Sequence, residues 1–166
     1  IFFAIFMQEV FHIPDGQKFV LLSIMSLLVI PSCYLSGKLG DRFGLKTVLL
    51  ASCGILIAAF LLISLSASAS LLYILIILVG LGWGGYYTTA RALLIAISPP
   101  GQLGEYFGFY STFQKFASII GPLLCGIITY FLMGIGPNRY RLAVLSLVVL
   151  MAIGTLLLTR VQEKRP

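Results

Sequence analysis

Apolar residues run in long blocks separated by short polar or glycine-proline breaks, and these blocks set the elements. A short block occupies 1–11, and longer ones lie at about 19–36, 47–66, 71–97, 105–133 and 140–159. A helix rising about 1.5 Å per residue crosses a hydrocarbon core about 30 Å thick in about 20 apolar residues. The longer blocks meet that length, so the expected fold class is all-α and transmembrane, in one helical domain over 1–166. The first block has about half the length of a span and opens at Ile1 without an initiator Met, which reads as a truncated first helix and a fragment. It lacks the basic leader and small-residue cleavage site of a signal peptide.

Within the blocks, two polar patterns stand out. Gly80, Gly84, Tyr87 and Arg91 recur at steps of four, three and four, which places them on one helix face. Gly80 and Gly84 form a small-xxx-small pair suited to close helix packing. Arg91 lies about 10 Å before the Ser98-Pro99-Pro100-Gly101 break. It reads either as a pathway or gate residue or as a side chain that snorkels to the headgroups.

The second pattern has the same spacing: Ser111, Lys115, Ser118 and Pro122. Lys115 is the one cation between Tyr106 and Met133 and lies about 15 Å along the helix from Glu105, near mid-membrane. A central Lys costs about 2.5 to 3.5 kcal/mol on insertion scales, so such residues usually face a bundle interior or a wet cavity. Lys115 therefore reads as a pathway residue, with a structural ion pair as the alternative. Tyr87 falls at a similar depth, and the two helices are expected to place phenol and ammonium side by side. Gln114 points about 100° away, toward a helix contact. Glu105 complements the dipole at its helix start. The blocks at 47–66 and 140–159 are apolar nearly all round and read as scaffold.

Composition narrows the class further. The chain is 60% hydrophobic and 10% charged, against about 25% charged in soluble domains, with a mean hydropathy of +1.08. The net charge of +6 comes from basic residues set singly or in small groups at block ends, so nucleic-acid binding is not expected. Lys38, Arg42, Lys46, Arg160, Lys164 and Arg165 lie on one side, and Lys18, Arg139 and Arg141 on the other. That excess places the C-terminus in the cytoplasm. Cys33, Cys53 and Cys125 have no metal-site spacing, and His12, the single histidine, sits in a break. Neither a cofactor nor the nucleophile-base or metal constellation of an enzyme is indicated.

The break at 37–46 reads as a tight loop, Gly-Lys-Leu-Gly-Asp-Arg-Phe-Gly-Leu-Lys. It resembles the G-x-L-a-D-R-x-G-R-K loop of the major facilitator superfamily. Gly37, Leu39, Asp41, Arg42, Gly44 and Lys46 match, and Leu45 departs. The resemblance makes this segment a cytoplasmic gate loop, in which Asp41 and Arg42 engage a helix of the opposite half.

A second likeness narrows the branch. Arg91, Pro99, Pro100, Glu105, Phe107, Gly108, Tyr110, Lys115, Gly121 and Pro122 match strings of the vacuole-effluxer-like transporters, GGxQAxSRS, a double proline, then E-F-F-G-x-Y, G-K and G-P. Tyr87, Ala90 and Gln114 depart from them, replacing Gln, Ser and Gly. The resemblance implies the C-terminal six-helix half of a secondary active transporter, built from two inverted three-helix repeats. Its implied partners are a small-molecule substrate, an amino acid or other carboxylate with proton coupling left open, the lipid bilayer and a missing N-terminal six-helix half. Lys115, Tyr87, Arg91, Ser111 and Ser118 form the expected pathway; Gly37, Asp41, Arg42, Gly44 and Lys46 form the expected gate loop. The implied location is a bacterial cytoplasmic membrane, or a vacuolar membrane in a eukaryote. The alternative is a non-transporting sensor or assembly subunit that keeps the fold.

Overall fold

The computed structural model describes residues 2–66, 68–136 and 138–161. Lys164 and Arg165, counted above for orientation, lie outside the described residues. Six α-helices follow one another: α1 Phe2–Phe11, α2 Asp15–Phe43, α3 Leu45–Leu65, α4 Ala69–Ile97, α5 Leu103–Phe131 and α6 Asn138–Thr159. A short 3-10 turn at Met133–Ile135 precedes α6, and no strand occurs among the described residues. Helices α2 to α6 are each long and apolar enough to cross a membrane.

The helices run past the apolar blocks that announce them. α2 starts directly after Pro14, a residue with extended backbone and no N–H to leave unpaired, and it continues through Pro31 to Phe43. Pro31 forfeits one bond to the carbonyl of Leu27 without ending the helix. The expected loop at 37–46 is thus helical through Phe43. Gly44 alone breaks the path, at φ 93° and ψ 139°, and α3 begins at Leu45. A φ of that sign suits glycine, so one residue makes the turn. At 29 residues, α2 is about 43 Å long and outruns the hydrocarbon, and its polar end stays helical beyond it.

The bundle is centred on α4, which packs along both α2 and α3. Its glycines bring the backbones together. A Cβ added at Gly80 would lie 3.0 Å from the Met25 carbonyl oxygen, and one at Gly84 would lie 2.6 Å from that of Val29. The packing reading of this pair therefore holds, against α2. Ser32 of α2 donates its hydroxyl to the Leu81 carbonyl, and the Cys33 thiol reaches the Gly84 carbonyl at 3.5 Å. Such contacts matter because lipid tails offer apolar side chains no reason to leave them for a neighbouring helix.

A buried cluster joins α1 to this centre: Phe6 and Met7 meet Ala59 and Ile63 of α3 and Leu72 and Ile76 of α4. α3 buries one side, from Val48 to Ser64, and exposes Ile55, Leu61, Leu62 and Leu65 on the other. It also braces α6, where the Ser64 hydroxyl donates to the Arg141 carbonyl at 3.0 Å. Lys18 at the start of α2 is 7% exposed, paired with Asp15 at 2.5 Å and donating to Gln8 Oε1 at 2.8 Å. α5 is the exception. It rests mainly on α6, and Cys125 is its one buried residue.

Candidate functional site

The polar stripe of α4 continues the glycine seam. One and two turns beyond Gly84, Tyr87 is half-buried and Arg91 exposed, with the guanidinium carbon 5.8 Å from the Tyr87 ring centroid. Trp83, one turn earlier, stacks on Tyr87 at 6.2 Å and 29°. Trp83, Tyr87 and Arg91 thus form a ladder at four-residue steps, the spacing that stacks side chains on one helix face. Between it and Met25, Ser26 and Val29 of α2 lies a shallow recess of about 260 Å³. Trp83 and Ser26 are candidates that sequence reading missed. The available signal was the four-residue step back from Tyr87.

The stripe on α5 lies open. Ser111, Lys115, Ser118 and Pro122 are all exposed. Among the described residues no hydrogen bond or ion pair reaches the Lys115 ammonium. The Ser118 hydroxyl donates to the Lys115 backbone carbonyl at 2.7 Å, which binds it to its own helix. On the opposite side of α5, Phe109, Phe113, Phe116 and Ile120 are exposed as well. The helix is therefore amphipathic in the membrane sense, with a ring-rich face for hydrocarbon and a hydroxyl-cation face that hydrocarbon disfavours. Gln114, expected in a helix contact, is exposed too.

The expected pairing of Tyr87 with Lys115 is not seen as a hydrogen bond or cation-π contact among the described residues. The reason is how α5 is held. Its C-terminal part is fixed on α6 near Cys125, whose thiol lies 3.9 Å from the Ala143 carbonyl. Toward α4, Tyr110 of α5 lines a cavity together with Tyr86.

The 37–46 segment divides into two parts. Asp41 and Arg42 are exposed in the last turn of α2, Arg42 lying over the Phe43 ring at 5.5 Å. Gly37 faces α4, where an added Cβ would stand 4.0 Å from Thr88 Cγ2. Gly44 supplies the turn. Lys46 instead reaches across to α6 and donates to the carbonyls of Thr159 at 2.7 Å and Val161 at 2.6 Å. Those carbonyls end a helix, where the backbone leaves acceptors unpaired and the dipole favours a cation.

Comparison with known proteins agrees with this architecture. The chain is 32% identical over 152 residues to the "Uncharacterized MFS-type transporter YxiO" of Bacillus subtilis, covering 92% of this chain and 34% of that protein. It is 34% identical over 96 residues to "Uncharacterized MFS-type transporter YuxJ" of the same organism, covering 56% of this chain and 24% of that one. It is 40% identical over 57 residues to "Autophagy-related protein 22" of Pichia angusta, covering 34% of this chain and 10% of that protein. The chain thus spans about a third or less of each of these relatives. No solved structure matches it significantly. The family description of the Major Facilitator Superfamily matches residues 1–166 throughout, and with the membrane-length helices it shows an integral membrane protein that belongs to that superfamily.

Proposed function

We propose that this chain is the C-terminal six-helix half of a secondary active transporter that moves a small anionic or zwitterionic solute by alternating access. The observation that carries the proposal is Lys115. It sits near the middle of a 29-residue apolar helix, exposed and without a side-chain partner among the described residues. A cation at that depth calls for a polar neighbour or water. A pathway between this bundle and a preceding six-helix half supplies both. In that arrangement α1, α2, α4 and α5 line the path, and α3 and α6 brace them. Lys115 holds a carboxylate or similar anion, Ser111 and Ser118 wet the same face, and Tyr87 with Trp83 forms the facing wall. Arg91, Asp41 and Arg42 belong to the closing side, which the basic residues assign to the cytoplasm.

The test uses the full-length parent protein in liposomes and compares the wild type with Lys115→Ala for counterflow of labelled amino acids, organic acids and sugars. Flux of an anionic or zwitterionic solute is expected in the wild type and falls at least about tenfold in the variant, the ratio that 1.4 kcal/mol represents. Equal flux by two folded proteins would remove Lys115 from the pathway.

A further inference from the structure

Trp83 borders two separate spaces. One is the recess of about 260 Å³ that it shares with Met25, Ser26, Val29 and Tyr87. The other is a cavity of about 570 Å³ among α3, α4 and α6, where it stands with Leu56, Phe60, Tyr86 and Met151. Pockets that hold small molecules measure about 300 to 1,000 Å³, so the recess falls short of that range and the cavity lies within it. The indole is therefore the wall between a space too small for most solutes and one with room for a ring.

The wall is built to move. The backbone around it is fixed, because Gly80 and Gly84 seat α4 against α2, and Gly82 seats it against Leu56 of α3. Motion is left to the side chain. Among the described residues no hydrogen bond fixes the indole, and its ring partner is Tyr87. Stacking of that kind is a modest tie. A long side chain on a helix has two open settings of χ1, near 180° and −60°, and both lean over the preceding turn. For Trp83 that turn holds Val79 and Gly80, and Gly80 has no side chain to obstruct the passage between them.

We propose that Trp83 is the size selector of the pathway, its indole swinging from the recess into the α3–α4–α6 cavity when a solute brings a bulky apolar group against Tyr87. The inference rests on the reading of Trp83 and Tyr87 as a pathway wall, and it makes the interior cavity a receiving space for one of the protein's own side chains. A small solute is carried with the ring in place. A larger one gains room only as far as the cavity accepts the ring, so cavity residues that never touch the solute set its size limit.

The test uses the full-length parent protein in liposomes, with counterflow of labelled alanine, leucine and phenylalanine and of labelled succinate and phenylsuccinate. Each set keeps its charge and rises in bulk. Gly154→Leu adds a side chain on the cavity wall, where a Cβ meets nothing within 4 Å, and the chain leans toward Met151 at the Trp83 end. It should lower flux of the bulky solutes about tenfold and leave the smallest within about twofold, as methylene-scale crowding does. Trp83→Ala should favour bulky solutes over small ones by about tenfold, and adding Gly154→Leu to it should change nothing further. Met151→Phe fills the same end if Gly154→Leu does not fold. Equal effects on small and large solutes, with flux still abolished by Lys115→Ala, would overturn the selector and keep the pathway. A second readout needs no flux: fluorotryptophan is incorporated into the protein in nanodiscs, and the fluorine resonance lost in Trp83→Phe is that of Trp83. It should exchange between two positions in the wild type and hold one in Gly154→Leu. A single position in both would overturn the swinging ring, whatever the protein carries.

Discussion

α4 and α5 are each 29 residues long, and each carries a stripe at steps of four, three and four, yet one is the centre of the bundle and the other scarcely packs. In the most apolar stretch of α4, 44% is buried; in that of α5, 6%. The difference lies in what occupies the stripe. Glycines at 80 and 84 let α2 come within backbone contact, whereas Ser111, Lys115 and Ser118 are exposed, and no hydrogen bond joins their side chains to another helix among the described residues. In a membrane, identical periodicity thus leads to a packing seam or to an open polar face according to side-chain size and charge.

The largest effect is expected at the seam. Gly84→Leu drives a Cβ onto the Val29 carbonyl oxygen, and it should cost on the order of 3 kcal/mol in thermal unfolding of the full-length protein. Gly108→Leu on α5, where an added Cβ meets nothing within 4 Å, should stay within about 0.5 kcal/mol. Similar losses at the two sites would erase the contrast between the helices. Next comes the strut between α3 and α6. Lys46→Met removes two bonds to the end of α6 and should cost about 1.5 kcal/mol, with faster hydrogen exchange confined to the last turn of α6. Lys46→Arg should restore part of the protection, and a change spread evenly over all helices would refute a local strut.

Arg91→Gln is expected to be milder, about 0.5 kcal/mol, because the guanidinium is exposed over Tyr87. Intrinsic fluorescence of Trp83, which stacks on the same ring, gives a local readout. The smallest stability change is expected for Lys115→Ala, below about 0.5 kcal/mol, since its ammonium is exposed and makes no hydrogen bond or ion pair among the described residues. A large destabilisation there would reveal a structural partner and sink the pathway reading.

Much of this division was legible in the residues. Block lengths identified the membrane helices, and the spacing of Gly80 and Gly84 identified a packing face, because both signals are local and periodic. The 37–46 segment misled for a physical reason. Its polar composition looks like a loop, but a membrane helix leaving the hydrocarbon can stay helical with polar residues, so only Gly44 turns the chain. Lys46 was beyond reach because its partners are the carbonyls of Thr159 and Val161, more than a hundred positions away, and carbonyls carry no residue identity. The cavity beside Tyr110 was hidden likewise, since a void is set by how three helices fail to close and not by any one stripe. Equal depth along two helices also says nothing of azimuth, and no hydrogen bond or cation-π contact joins Tyr87 to Lys115 among the described residues.

The central claim is that the Ser111–Lys115–Ser118 face of α5 borders water while its opposite face borders lipid. The direct measurement replaces Cys33, Cys53 and Cys125 in the full-length parent protein, introduces single cysteines from 109 to 120, and reacts each with a water-soluble, membrane-impermeant thiosulfonate. Cysteines at 111, 115 and 118 should react rapidly, and those at 109, 113, 116 and 120 should remain protected. Equal protection at every position, or reactivity without helical periodicity, would contradict a hydrated pathway along this helix.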